Sequence, residues 1–170
     1  PDDWVDEAFR TSLRQEYNLN ISGGTQKMSY YASLGYLKNE GVVRHSDFDR
    51  YTARLKSDYQ AKKWLKVGTN MNFTHTKQNN VGSGGLSVFD VTTRYAPIYP
   101  VYMRDGNGNI MMDEHGKMYD YGAGANGGML RPTDPARNFL QANELNTDLD
   151  VINVMTLAGF ADITPIEGLK

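Results

Sequence analysis

The residues of this chain best suited to bind a ligand are tyrosines set among prolines. They run Tyr95-Ala96-Pro97-Ile98-Tyr99-Pro100-Val101-Tyr102, and Tyr119 and Tyr121 follow. Proline fixes φ and holds the backbone extended. Each tyrosine offers a flat apolar face with a polar tip. That combination suits stacking on sugar rings or contact with a partner protein. The same rings also serve to pin a long loop in place, and at the level of sequence both uses stay open. Tyr95, Tyr99, Tyr102, Tyr119 and Tyr121 are therefore the candidate substrate- or partner-binding residues.

Catalytic and metal chemistry find less support. His45, His75 and His115 lie far apart with no paired or i+4 spacing, so no metal site is expected from them. Asp105-Gly106-Asn107-Gly108-Asn109 begins like a calcium loop. Ile110 then stands at the sixth position, where glycine makes the sharp turn, and Gly116 at the twelfth, where a bidentate glutamate belongs. An EF-hand is excluded, while a weak calcium contact through Asp105, Asn107 and Asn109 stays open. The stretch Gly108–Asp113 echoes Gly116–Tyr121, which predicts a small strand-turn-strand decoration with glycine supplying positive φ. Gly82-Ser83-Gly84-Gly85 lacks the Lys-Ser/Thr and helix of a phosphate loop and reads as a flexible loop. Asp113-Glu114 and Glu40 are lone acids in polar loops. With no nucleophile elbow and no acid–base pair, no catalytic residue, cofactor or enzymatic activity is expected.

Four runs between Tyr17 and Phe73 must position whatever the loops do. Tyr17, Leu19 and Ile21 alternate with Asn18, Asn20 and Ser22, and Met28, Tyr30, Ala32, Leu34 and Tyr36 alternate with Ser29, Tyr31, Ser33 and Gly35. Tyr51, Ala53, Leu55, Ser57 and Tyr59 alternate with Thr52, Arg54, Lys56 and Asp58. Leu65, Val67, Thr69, Met71 and Phe73 alternate with Lys66, Gly68, Asn70, Asn72 and Thr74. Successive side chains of a strand point to opposite faces, so this period of two means a sheet with one apolar and one polar surface. Tyr17, Tyr36, Tyr51, Phe73 and Tyr59 mark the ends of the apolar stripes, Trp64 sits beside the last turn, and aliphatics fill the middles. Amphipathic rings at both ends of an aliphatic band fit a membrane-spanning barrel, with Arg54, Lys56, Asp58 and the asparagines toward a wet lumen. A soluble or surface-attached β-sandwich that binds carbohydrate also alternates and is the other reading.

Connection lengths give the sheet a direction. Ser22–Lys27 and Gln60–Lys63 are short, Lys38–Asp49 is longer, and the stretch from Thr76 to about Asn146 is very long. Barrels of the outer membrane have short periplasmic turns and longer extracellular loops. The divisions expected are a short helix or extracellular loop over 1–14, four antiparallel strands over 15–75, a long extracellular loop with small hairpins over 76–148, and a fifth strand with its periplasmic turn over 149–170. The Gly-, Asn- and Pro-rich excursion is expected to be surface rather than core. The helix start rests on Asp2-Asp3 ahead of Trp4, Val5, Ala8 and Phe9. The closing turn rests on Thr164-Pro165-Ile166-Glu167-Gly168.

The 170 residues carry 39% hydrophobic side chains, a net charge of −2 and no cysteine. No run approaches the length of a transmembrane helix, nothing suggests a nucleic-acid partner, and a disulfide scaffold is excluded. The sequence opens at Pro1 without Met or leader and stops at Lys170 just past a turn signal, so a piece of a larger protein is expected.

Several stretches together resemble the early barrel of SusC/RagA-type TonB-dependent transporters. They are Asp3-Trp4, Asp6-Glu7, Phe9-Arg10, Asn18-Leu19-Asn20-Ile21-Ser22-Gly23-Gly24, Tyr30-Tyr31-Ala32-Ser33-Leu34-Gly35-Tyr36 and Glu40-Gly41. Asp47-Phe48, Arg50-Tyr51, Arg54-Leu55, Trp64-Leu65-Lys66-Val67-Gly68, Tyr95-Ala96-Pro97-Ile98-Tyr99-Pro100 and Pro165-Ile166-Glu167-Gly168-Leu169 continue the likeness. The resemblance implies an all-β chain of antiparallel up-and-down strands, part of a 22-stranded barrel in the outer-membrane lipid. It implies import of oligosaccharide (glycan) or peptide substrates with a SusD-like surface lipoprotein as partner. Energy would come from the TonB complex through an N-terminal part, with the plug, that lies outside this chain.

Overall fold

The alternation between Tyr17 and Phe73 is carried by long antiparallel strands. The computed structural model describes residues 2–81, 88–124, 129–145 and 148–165. Helix α1 spans Trp4–Ala8, followed by β1 (Arg14–Gly24), β2 (Met28–Glu40), β3 (Asp47–Lys62) and β4 (Leu65–Asn80). Then come α2 (Val88–Arg94), β5 (Met112–Asp113), β6 (Gly116–Lys117), α3 (Phe139–Leu145) and β7 (Asp148–Ile163). The chain forms two compact units, each described by itself. One comprises Leu13–Glu40, Asp47–Gln78 and Leu149–Lys170, and the other Pro1–Ser12, Gly41–Ser46 and Asn79–Asp148.

The first unit is a five-stranded sheet in the order β1-β2-β3-β4-β7. Its register decides its surfaces. Tyr17 lies opposite Tyr36 and Tyr36 opposite Tyr51; Leu19, Leu34 and Ala53 form the next row, and Ile21, Ala32 and Leu55 the next. Opposed residues of an antiparallel pair share a face, so every row of apolar residues falls on one side. The polar rows follow on the other, as in Asn20, Ser33 and Arg54. At one end of the apolar band the rings of Tyr17, Tyr36, Tyr51 and His75 succeed one another, with centroids 6.4, 4.8 and 6.0 Å apart. Met28 faces Tyr59 at the other. At about 3.3 Å per residue the stretch between these rows is about 26 Å long; at a barrel tilt of about 40° it spans about 20 Å of height, most of an outer-membrane apolar band of about 25 Å. The band is open: Leu19 is 68% exposed and Leu34 60%.

The polar face is tied by side-chain bonds instead. Tyr31 Oη donates to Asn20 Oδ1 (3.0 Å) and Arg54 Nε to Asn72 Oδ1 (2.8 Å). Lys66 Nζ lies 3.7 Å from Asp58. The β1–β2 turn is closed by Thr25, whose hydroxyl accepts from the amides of Lys27 and Met28, a short-side-chain turn of the usual kind. At the β3–β4 turn Gln60 Nε2 donates to the Lys62 carbonyl on its own strand (2.7 Å) and to the Leu65 carbonyl across the turn (3.4 Å).

The second unit departs from the expectation of a surface excursion without a core. Trp4, Tyr95, Val101, Tyr102 and Phe139 form one buried cluster, and Ala8, Val43 and Val88 another. Three sequence-distant segments supply it. Asp3 caps α1, its carboxylate accepting from the amide of Val5 at 2.8 Å. Phe9 bridges to Val43, and the Arg10 amide donates to the Val42 carbonyl. Between Tyr102 and Tyr119 the chain folds on itself through β5–β6 and the bridges Arg104–Ile110 and Tyr102–Tyr119. Gly116 makes the β5–β6 turn at φ 118°, a value that a side chain would strain. Strand β4 runs on to Asn80 rather than ending near His75, and α2 and α3 are helices within the excursion. The flexible loop read at Gly82–Gly85 and the turn residues Ile166–Gly168 lie outside the described residues.

Candidate functional site

The tyrosines singled out by sequence divide into two groups. Tyr95 and Tyr102 are buried, at 4% and 6% exposure. Tyr95 meets Trp4 edge-on at 5.0 Å and Phe139 at 6.4 Å. Tyr102 donates its hydroxyl to Glu7 (2.9 Å) and stacks obliquely on Tyr119 at 5.2 Å. Burial, then the bond to Glu7 and its charge, push the Tyr102 hydroxyl up to about 12. Tyr99 is half-buried, and its carbonyl accepts the indole N–H of Trp4 at 2.8 Å. These three shape the unit from within.

Tyr119 and Tyr121 instead line a cavity of about 310 Å³. One wall is the folded ribbon, which contributes Met103, Asp113, His115, Lys117, Met118 and both tyrosines; the other is α3, with Gln141, Glu144 and Leu145. Those three positions recur at i, i+3 and i+4 and so share one helical face. The tyrosine hydroxyls join the walls, Tyr119 donating to Glu144 and Tyr121 to Gln141. Burial and the Glu144 carboxylate raise the Tyr119 hydroxyl well above the ordinary phenol range. Lys117 holds its ammonium 4.4 Å from the Tyr102 ring centre, a cation–π placement.

Three buried polar residues fix this geometry. Asn138 caps α3, its Oδ1 accepting from the amides of Leu140 and Gln141. Its Nδ2 donates to the carbonyls of Val101 and Asp120, both at 2.9 Å. The Asp120 carboxylate accepts the Gly122 and Met129 amides. Arg131, 2% exposed, lies over the rings of Tyr95 (4.7 Å) and Trp4 (5.6 Å) and donates to the Arg137 carbonyl. Gly122 permits this: its φ is 66°, and a Cβ there would fall 1.9 Å from Arg131 Nε. Sequence reading passed over Asn138, Arg131, Gln141 and Glu144, because polar residues in a Gly-rich stretch look solvated. The seven residues of α3 are also too few for a period to stand out.

The other chemical candidates belong to other elements. His45 is in the β2–β3 turn, His75 contacts Asn153 across β4 and β7, and His115 lies between β5 and β6. Asp105 spends its carboxylate on its own turn, accepting from the amides of Asn107 and Asn109 and from Asn109 Nδ2.

Asp2 ties the N-terminal segment to the ribbon through the amides of Val101 (2.8 Å) and Tyr102 (3.3 Å) and the Arg104 guanidinium. Burial alone would raise its pKa, but these partners outweigh it and hold the carboxyl below its usual 3.8. A depressed pKa gives stability that is complete above 3.8 and lost as pH falls through the lower, folded value. In the full-length protein, protease cleavage within 88–145 is therefore expected to stay slow down to pH 3.8 and to quicken only below it. Asp2→Asn should quicken it already at neutral pH and flatten this acid response.

The comparisons with known proteins agree with this architecture. No protein-family profile matches the chain. TonB-dependent receptor P3 of Formosa agariphila is 32% identical over 115 residues, 64% of this chain and 12% of that receptor. TonB-dependent receptor SusC of Bacteroides thetaiotaomicron is 30% identical over 104 residues, 61% of this chain and 10% of its own. Two solved structures, of the RagAB peptide importer in a closed-closed state and of the RagAB peptide transporter, superpose with TM-scores of 0.65 and 0.64 at 27% and 28% identity. Each covers 98% of this chain and 17% of the solved one. The chain thus spans about a tenth of the length of the curated relatives it matches. In sequence over most of its length, and in fold over nearly all of it, the chain is similar to one stretch of the SusC-type TonB-dependent receptors.

Proposed function

We propose that the chain is a wall segment, with its external excursion, of a 22-stranded outer-membrane barrel that imports oligosaccharides or peptides. It works with a SusD-like surface lipoprotein, and the TonB complex energises it through parts outside this chain. One observation carries the reading: the register gathers an exposed apolar band, with a tyrosine row at one end and Met28 and Tyr59 at the other, on one face and polar residues on the other face. Apolar surface favours leaving water by about 25 cal/mol per Å², so such a face calls for lipid or a second sheet. Leu19, Leu34 and Leu157 stand 60–68% exposed on it, and the tyrosine row at one end together with turns that alternate short and long favours lipid over the second sheet of a sandwich. The short β1–β2 and β3–β4 turns then belong to the periplasmic side, and the β2–β3 turn and the excursion lie outside the cell. Tyr119 and Tyr121 are assigned to contact with substrate or lipoprotein, while Tyr95, Tyr99 and Tyr102 shape the loop that carries them. That the similar solved structures are of a peptide importer favours peptide cargo.

The test uses the full-length protein in its own cells. Deleting it is expected to abolish TonB-dependent uptake of one class of oligomer, and a tag on it to recover a surface lipoprotein. Unchanged uptake across panels of peptides and oligosaccharides, with no lipoprotein recovered, overturns the reading.

A further inference from the structure

We infer that the cavity between the β5–β6 ribbon and α3 is a receptacle for a basic side chain of an incoming peptide, a reading that rests on the importer assignment. Three features carry it. The lining residues include three carboxylates, Asp113, Asp120 and Glu144, against one ammonium, Lys117, a net charge of −2 with His115 neutral. That ammonium rests on the Tyr102 ring and keeps its charge, which the net figure already counts. Met103, Met118, Ala123 and Leu145 supply an apolar lining, which suits the methylene stem of lysine or arginine. Tyr121 is 44% exposed with its hydroxyl held by Gln141; this leaves ring surface on which a guanidinium can lie.

The groups that meet the cation follow from the hydrogen bonds. Asp120 has both oxygens on backbone amides and contributes field rather than contact. Glu144 takes the Tyr119 hydroxyl on Oε2, which leaves Oε1 for a ligand. Asp113 takes the His115 amide on Oδ1, which leaves Oδ2. The two walls thus each present one carboxylate oxygen, and at about 310 Å³ the space lies at the small end of ligand sites, roughly 300–1,000 Å³. It holds a side chain and adjoining backbone, not a long oligomer. Selection of this kind is charge-based and weakens with salt.

The experiment measures binding of fluorescent tripeptides with central Lys, Glu or Ala to the full-length transporter in detergent at low and high salt. The Lys peptide is expected to bind at least tenfold tighter than the Glu peptide, with the gap narrowing in high salt. Asp113→Asn with Glu144→Gln should bring the Lys-peptide and Glu-peptide affinities to within about twofold of each other. Leu145→Lys sets a cation at the cavity rim, at a position 71% exposed, and should lower Lys-peptide affinity even if the double variant fails to assemble. Equal binding of Lys and Glu peptides, or a preference that survives Leu145→Lys, overturns the receptacle. The importer reading is judged separately, by whether any peptide or oligosaccharide is taken up by cells.

Discussion

Leu55→Arg is expected to block membrane assembly of the full-length protein, whereas Arg54→Leu, one residue earlier, is expected to be tolerated. The two side chains stand on opposite faces of β3. Leu55 lies opposite Ala32, which in turn faces Ile21, in the middle of the apolar band. A charge at that depth of a barrel wall costs about 2–4 kcal/mol. Arg54 faces the polar side, where its Nε donates to Asn72. Losing that bond leaves Asn72 on a wet surface, and an exposed polar bond of this kind is worth about 0.5–1.5 kcal/mol. The measurement is the folded fraction after insertion into lipid vesicles, read as the band that shifts on heating. Equal yields for the two variants would show that Leu55 does not face lipid.

The faces of the sheet were legible because period-two alternation is a local property that pairing conserves. Once Tyr17, Tyr36 and Tyr51 each sit at one end of an apolar stripe, the register that aligns them also aligns every other apolar row. The second unit was not legible in this way. Its core joins Trp4 to Tyr95 and Phe139, and Ala8 to Val43 and Val88, pairs separated by tens of residues with no repeating interval. Helices α2 and α3 have seven residues each, two turns, on which an amphipathic period barely registers. The tyrosines were singled out by type, and type does not say which way a ring points: Tyr95 and Tyr102 turn inward, Tyr119 and Tyr121 to the cavity. Arg131 reads as a solvated charge in sequence. In the fold it is the cation under which two rings are gathered.

Trp4→Ala tests that core most severely. The indole is 2% exposed, donates to the Tyr99 carbonyl, meets Tyr95 edge-on and lies under the Arg131 guanidinium. Truncation of a buried tryptophan costs about 3–5 kcal/mol, and here it also leaves Arg131 with one ring where it had two. The cost falls on one unit. The apolar band and the strand ladders of the sheet contain no part of Trp4, so the barrel is expected to assemble and shift on heating as before. The excursion is expected to open locally: at about 1.4 kcal/mol per factor of ten, its open population rises by about two to three and a half orders of magnitude. Limited proteolysis of the folded full-length protein reads this directly as faster cleavage within 88–145, since cleavage follows the open population when reclosing is fast. Trp4→Phe retains a ring against Tyr95 and Arg131 and loses only the bond to Tyr99, so it should fall between. If Trp4→Ala leaves cleavage at the wild-type rate, the N-terminal segment does not hold the excursion together, and the cavity walls must be fixed by the Asn138 and Asp120 hydrogen bonds alone.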